Sequence, residues 1–221
     1  MGTGKFEPGR GSRILHCPAG TAGFAAILAI ISVWLLVILP GCGKPAPNIE
    51  KSLVPSYGDG STEVIIFTDY FCPPCQALEP DLEAMLIKLM EKGDVKITFV
   101  DAPVSKHTQL YAKCFLYSIH ADHDFQGALK TRRILFATAK TNAVFTEEEI
   151  ASELRGQGIA FRPYDLSEVY SKLNELMKNH GIRSTPTCVV KYSDADVRKY
   201  TGPDEIKRGL SLLLSAQKPV K

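Results

Sequence analysis

The stretch FTDYFCPPC, residues 67–75, decides the fold of this chain of 221 residues. An apolar, β-branched run from Val64 to Phe67 leads into it, which predicts a buried strand. A long helical pattern follows, so Cys72 and Cys75 fall in the first turn of a helix. A helix N-terminus offers unpaired N–H groups and the positive end of the helix dipole, and both stabilise a thiolate. We therefore expect Cys72 to be the exposed nucleophile and Cys75 to be its buried partner.

The pattern around the cysteines predicts a β-α-β unit. Strand 63–68, a helix at about 73–92 and strand 95–100 follow one another, which indicates two parallel strands joined by a helical crossover. Pro80 lies inside the helix, where it removes one backbone hydrogen bond and is expected to cause a kink.

Helical patterning continues through the next 80 or so residues and ends at a hairpin. Four helices are predicted, at about 107–121, 124–140, 147–156 and 167–180. Thr146 and Glu149 form a capping-box signature for the third of them, and Gly181 is placed to end the fourth. Strands at 188–192 and 197–201 then predict an antiparallel hairpin, followed by an amphipathic helix at about 204–215.

This α/β order, β-α-β followed by β-β-α, resembles the thioredoxin fold, with its domain at 63–217. The helices at about 105–181 resemble the insertion of DsbA-type extracytoplasmic thiol-disulfide oxidoreductases. The segment 67–75, with its Cys-Pro-x-Cys, is similar to the active site of DsbA and DsbG relatives, and Pro80 is similar to the kink proline of thioredoxins.

The resemblance implies a redox reaction between proteins. Cys72 would exchange disulfides with a substrate protein through a mixed disulfide, and Cys75 would resolve that intermediate. Pro186 would be cis and face the cysteine pair, and it would hold the backbone of Thr185 where an extended substrate can bind it. No dissociable cofactor is expected, because the cysteine pair itself carries the two electrons.

Two positions depart from the family pattern. Many relatives have a buried Asp or Glu six residues before the first cysteine, where this chain has Ile66. Glu79 or Asp69 could take up the proton through water instead. DsbA oxidases have His before the second cysteine, where this chain has Pro74; because proline has no N–H, we expect a milder oxidant.

Tyr70 and Phe71 lie next to the cysteines and belong either to the core or to an apolar rim that grips unfolded chains. Tyr70 is the better candidate for the rim, and thus for substrate binding.

Metal binding is not expected at the cysteine pair. Zinc normally takes four ligands, and no second Cys-x-x-Cys or close Cys/His pair follows. A copper-delivery module on the same fold is a rival interpretation, but such modules resemble a Cys-x3-Cys with a distant His.

Residues 1–42 are expected to be a signal peptide or a membrane anchor. Residues 22–39 carry no charge and are long enough to cross a bilayer, and three basic residues precede them, which predicts export of the remainder. The end of this region, residues 39–42, resembles a lipoprotein box in which Cys42 is lipidated; an uncleaved anchor is the alternative. Residues 43–62 would form a linker, in which Leu53 and Val54 could add a short edge strand.

An extracytoplasmic location affects the other cysteines and the partners. Disulfides persist there, so Cys114 and Cys188 could form a structural disulfide. The exported part is electrically neutral, with 23 basic and 23 acidic residues after residue 42, so no nucleic-acid partner is expected. The expected partners are secreted or periplasmic thiol-containing proteins and a membrane redox protein that recycles the pair.

The direction of the reaction stays open between two alternatives. Thr185 before the proline resembles the reducing and isomerising relatives, including those of cytochrome c maturation. A helical insertion with no dimerisation module resembles the monomeric oxidases, and we favour a monomeric oxidase.

Overall fold

The computed structural model describes residues 54–141 and 145–216. The expected membrane segment 22–39, the lipidation candidate Cys42 and linker residues 43–53 lie outside the described residues. Over the two described ranges, no helix has the combined length and apolar character that a bilayer crossing requires.

Five strands form one mixed sheet in the order β1-β3-β2-β4-β5. The strands are β1 (Ser56–Tyr57), β2 (Thr62–Thr68), β3 (Val95–Asp101), β4 (Thr187–Lys191) and β5 (Val197–Thr201). The central pair β2 and β3 is parallel, whereas β1–β3, β2–β4 and β4–β5 are antiparallel. The sheet therefore has the predicted β-α-β and β-β-α halves, which meet between β2 and β4.

Within the described residues, six helices accompany the sheet: α1 (Pro73–Lys92), α2 (Thr108–Ala121), α3 (Phe125–Lys140), α4 (Glu147–Gly156), α5 (Ser167–Asn179) and α6 (Pro203–Ser215). Helix α1 joins β2 to β3 and packs against α6 and α3. Helices α2 to α5 lie between β3 and β4 in the chain, which confirms the predicted helical insertion. The fold is a thioredoxin fold that carries this insertion.

Local signals locate the helix ends correctly. The Thr146 side chain accepts from the Glu149 N–H and the Glu149 carboxylate accepts from the Thr146 N–H, so the predicted capping box is present. Gly181 lies two residues after Asn179, the last residue of α5, and has a φ of 56°, a left-handed conformation that glycine adopts without strain.

The edge strand begins later than expected. Ser56 and Tyr57 pair with Thr98 and Ile97 of β3, so the folded part includes residues assigned to the linker. Tyr57 is buried and its ring stacks on His123 at 4.9 Å. Burial of this aromatic ring, together with the backbone pairing, attaches the segment to the sheet.

The core positions the start of α1. Residues Val64 to Thr68 of β2 are all buried, and α1 buries one stripe that is dominated by leucine: Leu78, Leu82, Leu86 and Leu89. Each buried leucine contributes about 2 kcal/mol, so this stripe holds α1 firmly on the sheet. The first turn of α1 therefore emerges just beyond the carboxyl end of β2.

Candidate active site

The two cysteines occupy the first turn of α1 in the predicted way. Cys72 is the N-cap residue and is partly exposed, whereas Cys75 is 1% exposed. Pro73 and Pro74 fill the first helical positions, where an N–H would have no partner within the helix. The Cys72 N–H donates to the Asp69 carbonyl at 3.1 Å, which closes the turn before α1.

A second segment reaches the cysteines from the far end of the chain. The peptide bond between Thr185 and Pro186 is cis, and the Cys72 thiol donates to the Thr185 carbonyl oxygen at 3.3 Å. Pairing of Thr187 with Phe67 aligns this segment with the end of β2. Thr185 is partly exposed and Pro186 is buried, so the backbone of Thr185 borders the exposed sulfur.

Cys75 is the protected member of the pair. Burial raises the pKa of its thiol far above the usual value, and the neighbouring Cys72 thiol raises it further. The backbone N–H of Asp69 and the hydroxyl of Thr185 both act to lower this pKa. Cys75 therefore holds its proton until its surroundings change, while Cys72 is the sulfur that an incoming group can reach.

Asp69 is held by the backbone and is not placed as a free proton acceptor. Its carboxylate is buried and accepts N–H groups from Phe71 at 2.7 Å, Val104 at 2.9 Å and Ser105 at 2.7 Å. Both carboxylate oxygens are occupied, so the structure replaces the expected relay with a positioning role. Asp69 connects the turn before Cys72 to the loop after β3.

Glu79 is likewise engaged. Arg132 donates from Nε and from Nη2 to the two Glu79 oxygens, each at 2.8 Å, and both side chains are buried. A bidentate pair of this kind holds the carboxylate toward α3. The expectation that Glu79 serves as an open acceptor for Cys75 is therefore replaced by an ion pair that joins α1 to the insertion.

Arg132, the buried partner of Glu79, was not predicted from the sequence. It is fully buried, donates to Thr68 Oγ1 at 3.2 Å, and lies over the Phe99 ring at 4.5 Å. One signal could have found it, because Arg132 occupies a helical stripe that is otherwise mostly apolar: Ala128, Leu129, Leu135, Phe136 and Ala139. An arginine in such a stripe needs a buried acidic partner.

Asp101 completes this buried cluster and was also missed. The Tyr70 hydroxyl donates to Asp101 Oδ2 at 3.0 Å, and Oδ1 lies 3.7 Å from Arg132 Nη1. Among the described side chains, neither Oδ1 nor Nη1 has a hydrogen-bond partner. Burial raises the pKa of the Asp101 carboxyl to about 6, although Arg132 and Tyr70 act in the opposite direction.

Tyr70 belongs to the core, so its prediction as a substrate-binding rim residue is wrong. It has no exposed surface, and its ring packs against Phe136 at 4.8 Å and Tyr111 at 5.8 Å. Its hydroxyl needs a buried acceptor and finds Asp101, which draws the side chain inward. Phe71 is the partly exposed aromatic residue beside Cys72, and its ring contacts Tyr111 and His107.

Cys114 and Cys188 are separate, buried thiols, so the suggested disulfide is not present. Cys188 lies on β4 opposite Ile66 of β2, whereas Cys114 lies on α2, which packs against α3, α4 and β3. Burial raises the pKa of both thiols. Both thus behave as small apolar side chains of the core.

The reactive sulfur is partly exposed. A groove of about 430 Å³ runs between α1 and α3, and a cavity of about 160 Å³ lies beside α2, but no cysteine lines either of them. In residues 54–141 and 145–216, no three His, Cys, Asp or Glu side chains converge as metal ligands.

Comparison with known proteins places this geometry in a family. A family model described as thioredoxin matches residues 55–208. The fold is similar to a periplasmic thioredoxin-like protein from Salmonella enterica serovar Typhimurium, with a TM-score of 0.56, 21% identity, and coverage of 74% of this chain and 91% of that chain.

Two further structures show the same fold. A putative protein-disulfide isomerase from Pseudomonas syringae has a TM-score of 0.57 at 16% identity and covers 72% of this chain and 97% of its own. The catalytic domain of Proteus mirabilis ScsC has a TM-score of 0.54 at 20% identity, with coverage of 74% and 90%. A search of curated protein sequences finds no match.

Proposed function

The chain belongs to the thioredoxin family, and on that premise we propose that it is a membrane-tethered, extracytoplasmic protein thiol-disulfide oxidoreductase. The observation that carries the proposal is the arrangement of the two sulfurs. Cys72 is accessible at the helix N-terminus beside the Thr185 carbonyl, and Cys75 is buried one turn further in. In this arrangement Cys72 is the sulfur that reacts with a client, and Cys75 is the sulfur that reacts with Cys72.

Client oxidation would proceed in two exchanges from the disulfide form of the pair. A client thiolate attacks Cys72, the Cys72–Cys75 bond breaks, and Cys75 leaves as a thiolate that takes up a proton. The client's second thiolate then attacks its own sulfur in the mixed disulfide and releases Cys72. Two electrons pass from the client dithiol to the cysteine pair, so the reaction needs no dissociable cofactor.

The open position of Cys72 supports a polypeptide substrate. Small-molecule enzymes usually enclose the reacting atoms in a pocket, whereas Cys72 is partly exposed and lines neither described cavity. The backbone of Thr185 borders the sulfur and is available to an extended client. We propose secreted or periplasmic proteins with thiol groups as the clients.

Tethering and recycling are part of the same proposal. The apolar residues 22–39 and the lipobox-like end at Cys42 support attachment to a membrane, with the domain on the outer side. A monomer that donates disulfides becomes reduced in each cycle, so a membrane redox partner must reoxidise it. We propose oxidation as the direction, supported by the likeness of the insertion to that of monomeric oxidases.

Replacement of Cys75 by Ser in the full chain tests the proposal in cells. Without Cys75, Cys72 can still attack the disulfide of an oxidised client, but the chain cannot release that client by forming a Cys72–Cys75 disulfide. Clients should therefore accumulate as mixed disulfides with Cys72, and non-reducing electrophoresis with mass spectrometry should identify them. Cys72→Ser is the matched control and should trap nothing. A trap with no clients, together with no turnover of a model dithiol by the purified chain, would refute the function.

A client assay decides the direction. An oxidase accelerates disulfide formation in a reduced, unfolded protein, whereas an isomerase acts on a protein with scrambled disulfides. We expect the larger acceleration with the reduced client. The opposite order would assign the chain to the reducing and isomerising relatives.

A further inference from the structure

The turn that precedes α1, residues 69–72, is closed by two hydrogen bonds to Asp69. The Cys72 N–H donates to the Asp69 carbonyl at 3.1 Å, and the Phe71 N–H donates to the Asp69 carboxylate at 2.7 Å. Both bonds lie within the turn, so they determine its internal shape. They do not determine how the turn, and with it the Cys72 side chain, is oriented relative to α1.

Gln76 connects this turn to α1. Its side-chain Nε2 donates to the Tyr70 carbonyl at 2.8 Å, and its backbone N–H donates to the Cys72 carbonyl at 3.0 Å. The backbone bond is the ordinary first bond of an α-helix, whereas the side-chain bond is an additional restraint. Gln76 is partly exposed, so fixing its long side chain costs conformational entropy that a solvated glutamine would keep. The Tyr70 carbonyl is thus held by a specific contact from α1.

The orientation of Cys72 matters because its sulfur has to react with two others. A thiolate attacks a disulfide along the axis of the S–S bond, so the Cys75 sulfur, Cys72 Sγ and the departing sulfur must lie nearly in line. Cys75 is fixed inside α1, where it is 1% exposed. Cys72 is the N-cap residue, and its orientation therefore follows the turn that Gln76 holds.

Resting on the proposed function, we propose that Gln76 is a positioning residue that keeps Cys72 Sγ in line for attack by Cys75. In that step the Cys75 thiolate attacks Cys72 Sγ, the bond from Cys72 to the client sulfur breaks, and the client leaves as a thiolate that takes up a proton. Because Gln76 acts through the Tyr70 carbonyl, loss of its amide disturbs the alignment of the sulfurs and leaves the Cys72 thiol reactive toward outside disulfides.

Reaction of the reduced full-length protein with glutathione disulfide separates these two properties. In the first, bimolecular step Cys72 attacks glutathione disulfide, and in the second, unimolecular step Cys75 attacks Cys72 and releases glutathione. Acid-quenched samples analysed by mass spectrometry follow both steps. Gln76→Met has a side chain of similar length and no charge, but it has no N–H to donate. It should slow the second step about 5- to 10-fold and change the first by less than about twofold.

A matched variant and a stability measurement control the result. Gln157 ends α4, and its Nε2 donates to Glu153 at 3.1 Å, so Gln157→Met removes a similar bond far along the chain and should leave both steps unchanged. Lower stability of Gln76→Met in urea with an unchanged second step would overturn the positioning role, as would equal slowing of both steps. Failure of the unsubstituted protein to form the Cys72–Cys75 disulfide would overturn the proposed function and this inference together.

Discussion

Cys72 Sγ lies 3.3 Å from the carbonyl oxygen of Thr185, although 113 positions separate the two residues in the chain. The contact exists because β4 pairs with β2, so the residues before β4 reach the end of the strand that leads to the cysteines. The two halves of the thioredoxin fold thus meet at the reactive sulfur. Both the cysteine turn and the Thr185 segment are therefore expected to control the exchange.

Removal of the Thr185 hydroxyl should slow the step in which Cys75 attacks. That hydroxyl lowers the pKa of the Cys75 thiol, so Thr185→Val should raise this pKa further and reduce the thiolate fraction. Loss of a hydrogen bond that contributes about 1 kcal/mol predicts that Cys75 resolves a mixed disulfide about 5-fold more slowly. Stopped-flow measurement with a preformed mixed disulfide checks this. Thr201→Val, on β5, is the control, and equal rates for both variants would contradict the prediction.

Loss of the buried guanidinium should destabilise the domain strongly. Arg132→Met leaves Glu79 buried without a partner, so the free energy of unfolding should fall by about 3 to 5 kcal/mol. The adjacent Arg133 pairs with Glu83 but is largely exposed, and Arg133→Met should cost less than about 1 kcal/mol. Urea unfolding of the two variants measures the difference. Similar losses of unfolding free energy for both variants would show that the buried Arg132–Glu79 pair contributes no more to stability than the exposed Arg133–Glu83 pair.

Asp101 should make stability depend on pH between about 4 and 6. Its folded-state pKa of about 6 is raised above the unfolded value of about 4, so folding favours the protonated carboxyl. Its contribution is fully present below pH 4 and is lost as the pH rises through 6, by up to about 3 kcal/mol.

Asp101→Asn keeps an acceptor for the Tyr70 hydroxyl but removes the titration. The stability of the unsubstituted protein relative to this variant should therefore fall as the pH rises from 4 to 7. Urea unfolding at several pH values provides the measurement. A constant difference across this range would show that Asp101 does not titrate there.

Introduction of a donor between the cysteines should make the pair more oxidising. Pro74 is exposed in the first turn of α1 and has no N–H, so Pro74→His adds a group that can stabilise the Cys72 thiolate. Equilibration with glutathione should show that the reduction potential of the cysteine pair rises by about 30 mV or more, which is a tenfold change in the equilibrium constant. Pro203→His, at the start of α6, serves as the control. An unchanged reduction potential would show that the missing N–H of Pro74 does not lower the oxidising strength of the cysteine pair.

Sequence patterns predicted the elements well because those patterns act over short distances. Helix α1 spans the predicted residues 73–92, and the capping box of α4 is present as expected. Each depends on neighbours within one or two turns. The edge strand was misplaced because its pairing with β3 involves residues about 40 positions away.

The candidate site divides in the same way. Cys72, Cys75, Thr185 and Pro186 come together as their motif indicates, whereas Tyr70, Glu79 and Asp69 take other roles. Each of those three has a distant partner: Asp101, Arg132 and the loop at 104–105 respectively. Nothing near them in the chain indicates which partner they find.

The sequence alone determined the helix and strand order, the position of both cysteines at a helix start, and the division between an exposed and a buried sulfur. These follow from periodicity and from the unpaired N–H groups of a helix terminus, which are local properties. Only the tertiary structure decided which acidic groups are free, because a buried charge is paired by whichever helix or loop packs against it. That packing brings Arg132, 53 positions from Glu79, into the core against α1.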